Sequence, residues 1–146
     1  AADLERMGDL AKHIAKVARL RFPTCAVPDE VRPTIVEMDS VGRGIADRTG
    51  EIIASKQANG ALQLVQADDR MDELHKHVFA LLTDAAWHHG TQAAIDITLL
   101  ARYYERFADH AVLVAHRVAY LVTGEWRTVD AHAEERLLER HEAPPQ

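Results

Sequence analysis

The chain has 146 residues, 47% of them hydrophobic and only 5% aromatic, which suits one helical domain whose core is closed by small and aliphatic side chains. A formal charge of −6, with 17 Lys and Arg against 23 Asp and Glu and no basic cluster, excludes a phosphate-backbone binder and so a nucleic-acid partner. The single cysteine, Cys25, excludes an internal disulfide and a thiolate-rich zinc site, and no run of about 18 apolar residues is present to span a bilayer. A reducing, cytoplasmic setting is expected, with the membrane reached only through partners.

The first predicted helix runs from Asp3 to about Phe22. Met7, Leu10, Ala11, Ile14, Val17 and Ala18 fall on one side, and Arg19 and Arg21 gather at the C-terminal end that the helix dipole favours for cations. It begins almost at position 1 without a starting Met, as expected of a segment from inside a longer protein. Pro23 ends it. Pro28, Asp29 and Glu30 predict the opening of a second helix, since proline suits the first turn and acids its positive end. Val31, Ile35, Met38, Gly42, Ile45, Thr49 and Ile52 then recur in steps of four and three, the stepping of a coiled-coil seam. Ser55 to Gly60 reads as a turn.

Leu64, Ala67, Met71, Leu74, Val78, Leu81 and Ala85 mark a third helix with the same stepping. Beside this seam runs Val65, Asp68, Asp72, His75, Phe79, Leu82, polar in its middle and apolar at both ends. Trp87-His88-His89-Gly90 makes the next turn, and a fourth helix is predicted from about Thr91 to Thr123, stopped by Gly124. Its main seam is Ala93, Ile97, Leu100, Tyr104, Phe107, Ala111, Val114, Val118 and Leu121. Alongside lies a stripe of small residues, Ala94, Thr98, Ala101, Ala108, Val112, Ala115 and Ala119, in which Glu105 is the single charge. Residues 125–146 read as a charged tail, a short helix or disordered, with Val129, Ala133, Leu137 and Leu138 as a weak apolar line. No strand alternation appears, so the expected fold is all-α, an antiparallel helical bundle with short connections.

The chemistry lies in the carboxylates. Glu105 and Asp109 stand at i and i+4, with Cβ atoms about 6 Å apart on one helix face, and Asp68 and Asp72 share that spacing on the preceding helix. If the turn brings the two pairs together, four carboxylates cannot all stay charged without a cation, and an all-oxygen site suits Mg, Mn, Ca or iron. The alternative for each pair is a solvated helix face, with Arg102 and Arg106 as its ion-pair partners. Asp72-x-x-His75 faintly matches the carboxylate-x-x-His element of di-metal bundles, but a second such element is lacking. Neither a Gly-rich phosphate loop nor a nucleophile elbow is present.

The pattern around Glu105 has an echo 100 residues earlier, in Glu5-Arg6-Met7-Gly8-Asp9 with Ala11 and Ala15 following. Leu4-Glu5-Arg6-Met7-Gly8-Asp9 and Ala101-Arg102-Tyr103-Tyr104-Glu105-Arg106-Phe107-Ala108-Asp109-His110-Ala111 resemble the two signature helices of the PhoU family of bacterial phosphate-signalling regulators, its actinobacterial members above all. Tyr120-Leu121-Val122-Thr123-Gly124 is similar to the end of that family's last helix. The resemblance implies two three-helix repeats, each with paired Glu/Asp-x-x-x-Asp motifs that hold a metal cluster. On that basis residues 1–22 are the last helix of an incomplete first repeat, 28–124 a complete second repeat, and 125–146 the tail. Asp68, Asp72, Glu105 and Asp109 would ligate metal, and Glu5 and Asp9 belong to a first site whose opposing pair is missing from the chain. Phe107 and Ala108 replace the more typical Ile-Gly of the motif.

The metals implied are divalent or trivalent ions: iron, Mn, Mg or Zn. The function implied is a non-enzymatic negative regulator of phosphate uptake and of the phosphate-starvation two-component response. Its partners would be the ATPase subunit of the phosphate ABC transporter, a phosphate-sensing histidine kinase and a second copy of the protein, as a homodimer. The alternative is a metal-dependent helical-bundle enzyme using Asp68, Asp72, His75, Glu105 and Asp109.

Overall fold

The structure, a computed structural model, describes residues 1–56 and 61–124. Of the turn expected from Ser55 to Gly60, Ser55 still belongs to α2 and residues 57–60 lie outside the described residues, as does the tail at 125–146. Four helices follow in order: α1 Ala2–Arg21, α2 Arg32–Ser55, α3 Ala61–Thr83 and α4 Gly90–Thr123. The all-α bundle expected from the seams is the observed architecture, and among the described residues no strand occurs. No helix is long and apolar enough to cross a membrane among the described residues.

The ends of the helices follow local chemistry. α1 carries Asp3 and Glu5 in its first turn and Arg19 and Arg21 in its last, each sign at the pole that stabilises it. Phe22 is extended, with ψ near 134°, as the residue before a proline must be. The second helix starts at Arg32 rather than at Pro28. Pro28 instead closes a single turn, its carbonyl accepting from the amides of Val31 and Arg32, and it is Pro33 that occupies the first helical turn. α3 ends at Thr83, so Ala85 falls in the connection. α4 stops at Gly124, whose φ of 71° is open to glycine without strain and lets its amide donate to the Tyr120 carbonyl at 2.8 Å.

α4 is the centre of the bundle. α1, α2 and α3 all pack on it, and α2 also packs on α3, so α2–α4 form a three-helix unit with α1 laid on the outer side of α4. The α2 seam is buried nearly as read: Val31, Met38, Gly42, Ile45, Thr49 and Ile52 are inside, with Thr34 buried where Ile35 was expected to be. Met38, Ile45, Leu64, Met71, Val78 and Ile97 are fully enclosed and form one core with Ala101, Ala108 and Ala111. Each large side chain so enclosed contributes roughly 1.5–3 kcal/mol through burial.

Two expectations for α4 change. Its small-residue stripe is core rather than flank, since Ala101, Ala108, Val112 and Ala115 are buried, whereas Phe107 and Val118 of the main seam are half-buried and Leu121 is exposed. The reason is that three helices surround α4, and the small side chains are where a neighbour's backbone approaches. α1 buries Met7 and Val17 against α4, with Ile14 half-buried, while Leu20 and Phe22 remain in solvent. Between α1 and α2 an open groove is lined by Ala11, Ile14, Gly42, Ala46, Tyr104 and Phe107.

Candidate metal centre

Glu105 lies in the middle of the small-residue stripe of α4 and is 1% exposed, the most deeply buried ionisable side chain among the described residues. Asp109, one turn on, is 8% exposed, and Asp72 on α3 is 7% exposed. Asp68 is half-buried, but its Oδ1 is shielded from solvent, as is Nε2 of the half-buried His75. Three of the four expected carboxylates are thus inside the protein, and the fourth stands at the rim. The solvated-face reading fails for the Glu105 pair. Phe79, expected as an apolar end of the α3 line, is exposed and sets its ring edge-on to His75 at 5.0 Å.

The topology brings the two pairs to similar heights on neighbouring helices. α3 and α4 run antiparallel through the short connection at 84–89, so position 68 stands about level with 105 and position 72 with 101, and Asp109 is about 6 Å further along α4 at 1.5 Å per residue. On its opposite side α3 is tied to α2 by Arg70, which reaches Glu37 at 2.5 Å and Glu73 at 2.8 Å. These bonds to Glu37 and Glu73 raise the Arg70 pKa above its ordinary value and hold the guanidinium charged.

A carboxylate taken from water costs several kcal/mol unless cations or donors replace the solvent. Arg102 supplies one positive charge, its Nη1 lying 2.7 Å from Glu105 Oε2, but its side chain stays 42% exposed. The donor set of buried carboxylates, with an imidazole beside it, fits a hard divalent or trivalent cation. Asp72, Glu105 and Asp109 would hold it, with Asp68 at the edge. Among the described residues, the trio of ligand-type side chains whose donor atoms already lie within 4.8 Å of one another is a different one, Glu30, His88 and His89. No three of the four carboxylates close to that spacing among the described residues.

Glu5 and Asp9 lie on the exposed surface of α1, and Asp9 pairs with Lys12 at 3.3 Å. Asp9 also borders a groove with Arg6, His13, Arg106 and His110 where α1 meets α4. Three clusters escaped the sequence reading because they join residues far apart in the chain. Asp3 is buried and bound by Arg117 and by His110 Nδ1 at 3.2 Å. Arg21 clamps the buried Asp96 with two bonds of 2.5 and 3.0 Å, which raises the Arg21 pKa and fastens the end of α1 to α4. Glu30 meets the two histidines of the α3–α4 turn. The one available signal was compositional: acids and cations standing in otherwise apolar positions.

The PhoU domain matches residues 35–118, which span α2 to α4. The chain is 49% identical over 123 residues to phosphate-specific transport system accessory protein PhoU homolog 2 of Mycobacterium bovis, covering 84% of this chain and 58% of that protein. It is 46% identical over 125 residues to PhoU homolog 1 of Mycobacterium leprae, covering 86% and 56%. A cyanobacterial PhoU homolog from Synechocystis is 28% identical over 129 residues, covering 84% and 54%. The chain therefore spans a little over half the length of the relatives it matches, and no solved structure matches it. With the carboxylate motif on α4, the helical architecture and these matches in agreement, the chain belongs to the PhoU family.

Proposed function

We propose that this chain is the metal-binding part of a regulator of phosphate transport, a helical adaptor rather than an enzyme. The reading is supported by the names of its relatives, accessory proteins of the phosphate-specific transport system, and by the burial of Glu105 and Asp109 on α4 and of Asp72 on α3, two helices that pack together. A bound cation would supply the positive charge that lets these carboxylates remain ionised inside the bundle. The residues themselves do the positioning. Glu105 is held among the small side chains of α4, Arg102 orients its Oε2, and Arg70 links α3 to Glu37 of α2.

On this reading the protein restrains phosphate uptake and the phosphate-starvation response by docking on the ATPase subunit of the phosphate transporter and on a phosphate-sensing histidine kinase. A metal-filled interface would lock α3 against α4 and so stiffen the surface offered to those partners. The experiment is a pull-down of the transporter ATPase subunit by the chain, with and without added Mn²⁺ or Fe³⁺. Capture that depends on metal and is lost in the triple variant Asp72→Asn, Glu105→Gln, Asp109→Asn is expected. Absence of capture under all conditions, with a full-length relative as positive control, overturns the partner assignment.

A further inference from the structure

At the opposite end of the molecule from Gly124, the connection before α2 meets the turn before α4. His88 Nε2 lies 3.8 Å from Glu30 Oε1, and His89 Nε2 lies 2.5 Å from Glu30 Oε2. The two imidazoles sit side by side, ring centroids 4.1 Å apart and planes tilted by 37°. Neighbouring residues of a helix point about 100° apart, so such convergence requires the irregular backbone that residues 84–89 provide. All three ligand atoms fall within 4.8 Å of one another. Zinc with bonds of about 2.0–2.1 Å to nitrogen and oxygen needs its ligands roughly 3.3 Å apart, so small side-chain rotations close the set.

A second observation concerns the tautomer. His88 Nδ1 is 3.0 Å from the Ala86 carbonyl, a bond that requires Nδ1 to carry the hydrogen and leaves the Nε2 lone pair directed at Glu30. A backbone carbonyl on the far nitrogen is the arrangement that orients and strengthens ligating histidines in metalloproteins. His89 is steadied by the edge of Trp87 at 5.0 Å, whose indole N–H is bonded to the Gly90 carbonyl at 3.2 Å. The site opens on a groove lined by Cys25, Pro28, Arg32 and Ala93, which leaves room for water on the metal.

We propose that Glu30, His88 and His89 form a second metal site, specific for a borderline transition metal of the zinc class. Two imidazoles and one carboxylate select Zn²⁺, Co²⁺, Ni²⁺ or Cu²⁺ over the Mg²⁺ and Ca²⁺ that all-oxygen sites favour, and they leave a coordination position open. The site lies about 24 Å along α4 from Glu105, sixteen residues at 1.5 Å each, so it is independent of the carboxylate interface and does not rest on the function proposed above. Occupied, it staples the α1–α2 connection to the α3–α4 turn.

The test is titration of the metal-free chain with Co²⁺ and Zn²⁺, following the cobalt visible spectrum and the ring resonances of the histidines by NMR. In a chain carrying Asp72→Asn, Glu105→Gln and Asp109→Asn, which removes the carboxylate interface, one equivalent is expected to bind, to shift the His88 and His89 resonances and to be unaffected by millimolar Mg²⁺. Added there, His88→Ala and His89→Ala are each expected to weaken binding at least about tenfold. Glu30 and His88 are exposed and His89 is half-buried, and retained helicity by circular dichroism separates lost ligation from lost fold. In that same background, with helicity retained, histidine resonances at 88 and 89 that do not respond to one equivalent of zinc overturn the proposal, as does equal affinity in the alanine variants.

Discussion

Replacing Glu105 with glutamine keeps the shape of a fully buried side chain and removes its charge, so the variant separates a structural ion pair from a metal ligand. If the Arg102 pair were the purpose of Glu105, breaking it would cost about 3–5 kcal/mol, the usual result when a buried charge loses its partner. Arg102, however, is 42% exposed and free to rehydrate. The metal-free change is therefore expected to stay within about 1 kcal/mol, as for other solvent-accessible pairs. Added cation tells the two apart. At a free concentration one hundred times its dissociation constant, a ligand of the native state stabilises by about 2.7 kcal/mol, a rise of roughly 10 °C in Tm for a domain of this size. The parent chain is expected to show that rise with Mn²⁺ and Glu105→Gln to show little of it, both in a background carrying His88→Ala and His89→Ala. Differential scanning calorimetry reads the result. Equal rises in both proteins, or a variant several kcal/mol less stable without metal, would refute the reasoning.

Other perturbations probe the frame around the site. Burial, with the nearby Asp39 carboxylate, pushes the Tyr104 phenol up to about 12 from an ordinary value near 10. The native state then holds a proton the unfolded chain has lost, so this contribution is complete below pH 10 and disappears as pH rises through 10 to 12. Urea denaturation should lose about 1–2 kcal/mol across that window after allowance for solvent screening, and Tyr104→Phe should lack that component. Arg21→Ala frees one end of α1 from Asp96, and hydrogen exchange should quicken in α1 amides while those of α2 and α3 keep their rates. Gly42→Ala places a Cβ 3.5 Å from Tyr104 Cδ1, an ordinary contact, and should raise stability by about 0.5–1 kcal/mol by lowering the entropy of the unfolded chain.

The helices were legible because each has one apolar period that its neighbours honour. Met38, Ile45 and Ile52 lie where their three-and-four stepping puts them. The boundaries were less so at Pro28, where a proline and two acids imitate a helix start but serve a single preceding turn. In α4 the stepping was read correctly and its rank was not. A helix surrounded on three sides has two buried lines, and hydropathy weights Leu121 above Ala101 although only the alanine is enclosed. The carboxylate pair of Glu105 and Asp109 was visible because i,i+4 spacing lies within one element. Glu30 with His88 and His89, Asp3 with Arg117, and Arg21 with Asp96 were not, since which loop or helix end meets which depends on packing that no local spacing records.

The most direct measurement of the central claim is the metal content of the chain purified without chelator, determined by elemental analysis in the His88→Ala, His89→Ala background. Stoichiometric iron, manganese, magnesium or zinc is predicted, falling to background when Asp72→Asn, Glu105→Gln and Asp109→Asn are combined. A metal content near zero after incubation with each of these ions, or one unchanged by the triple substitution, would contradict a cation-binding interface between α3 and α4.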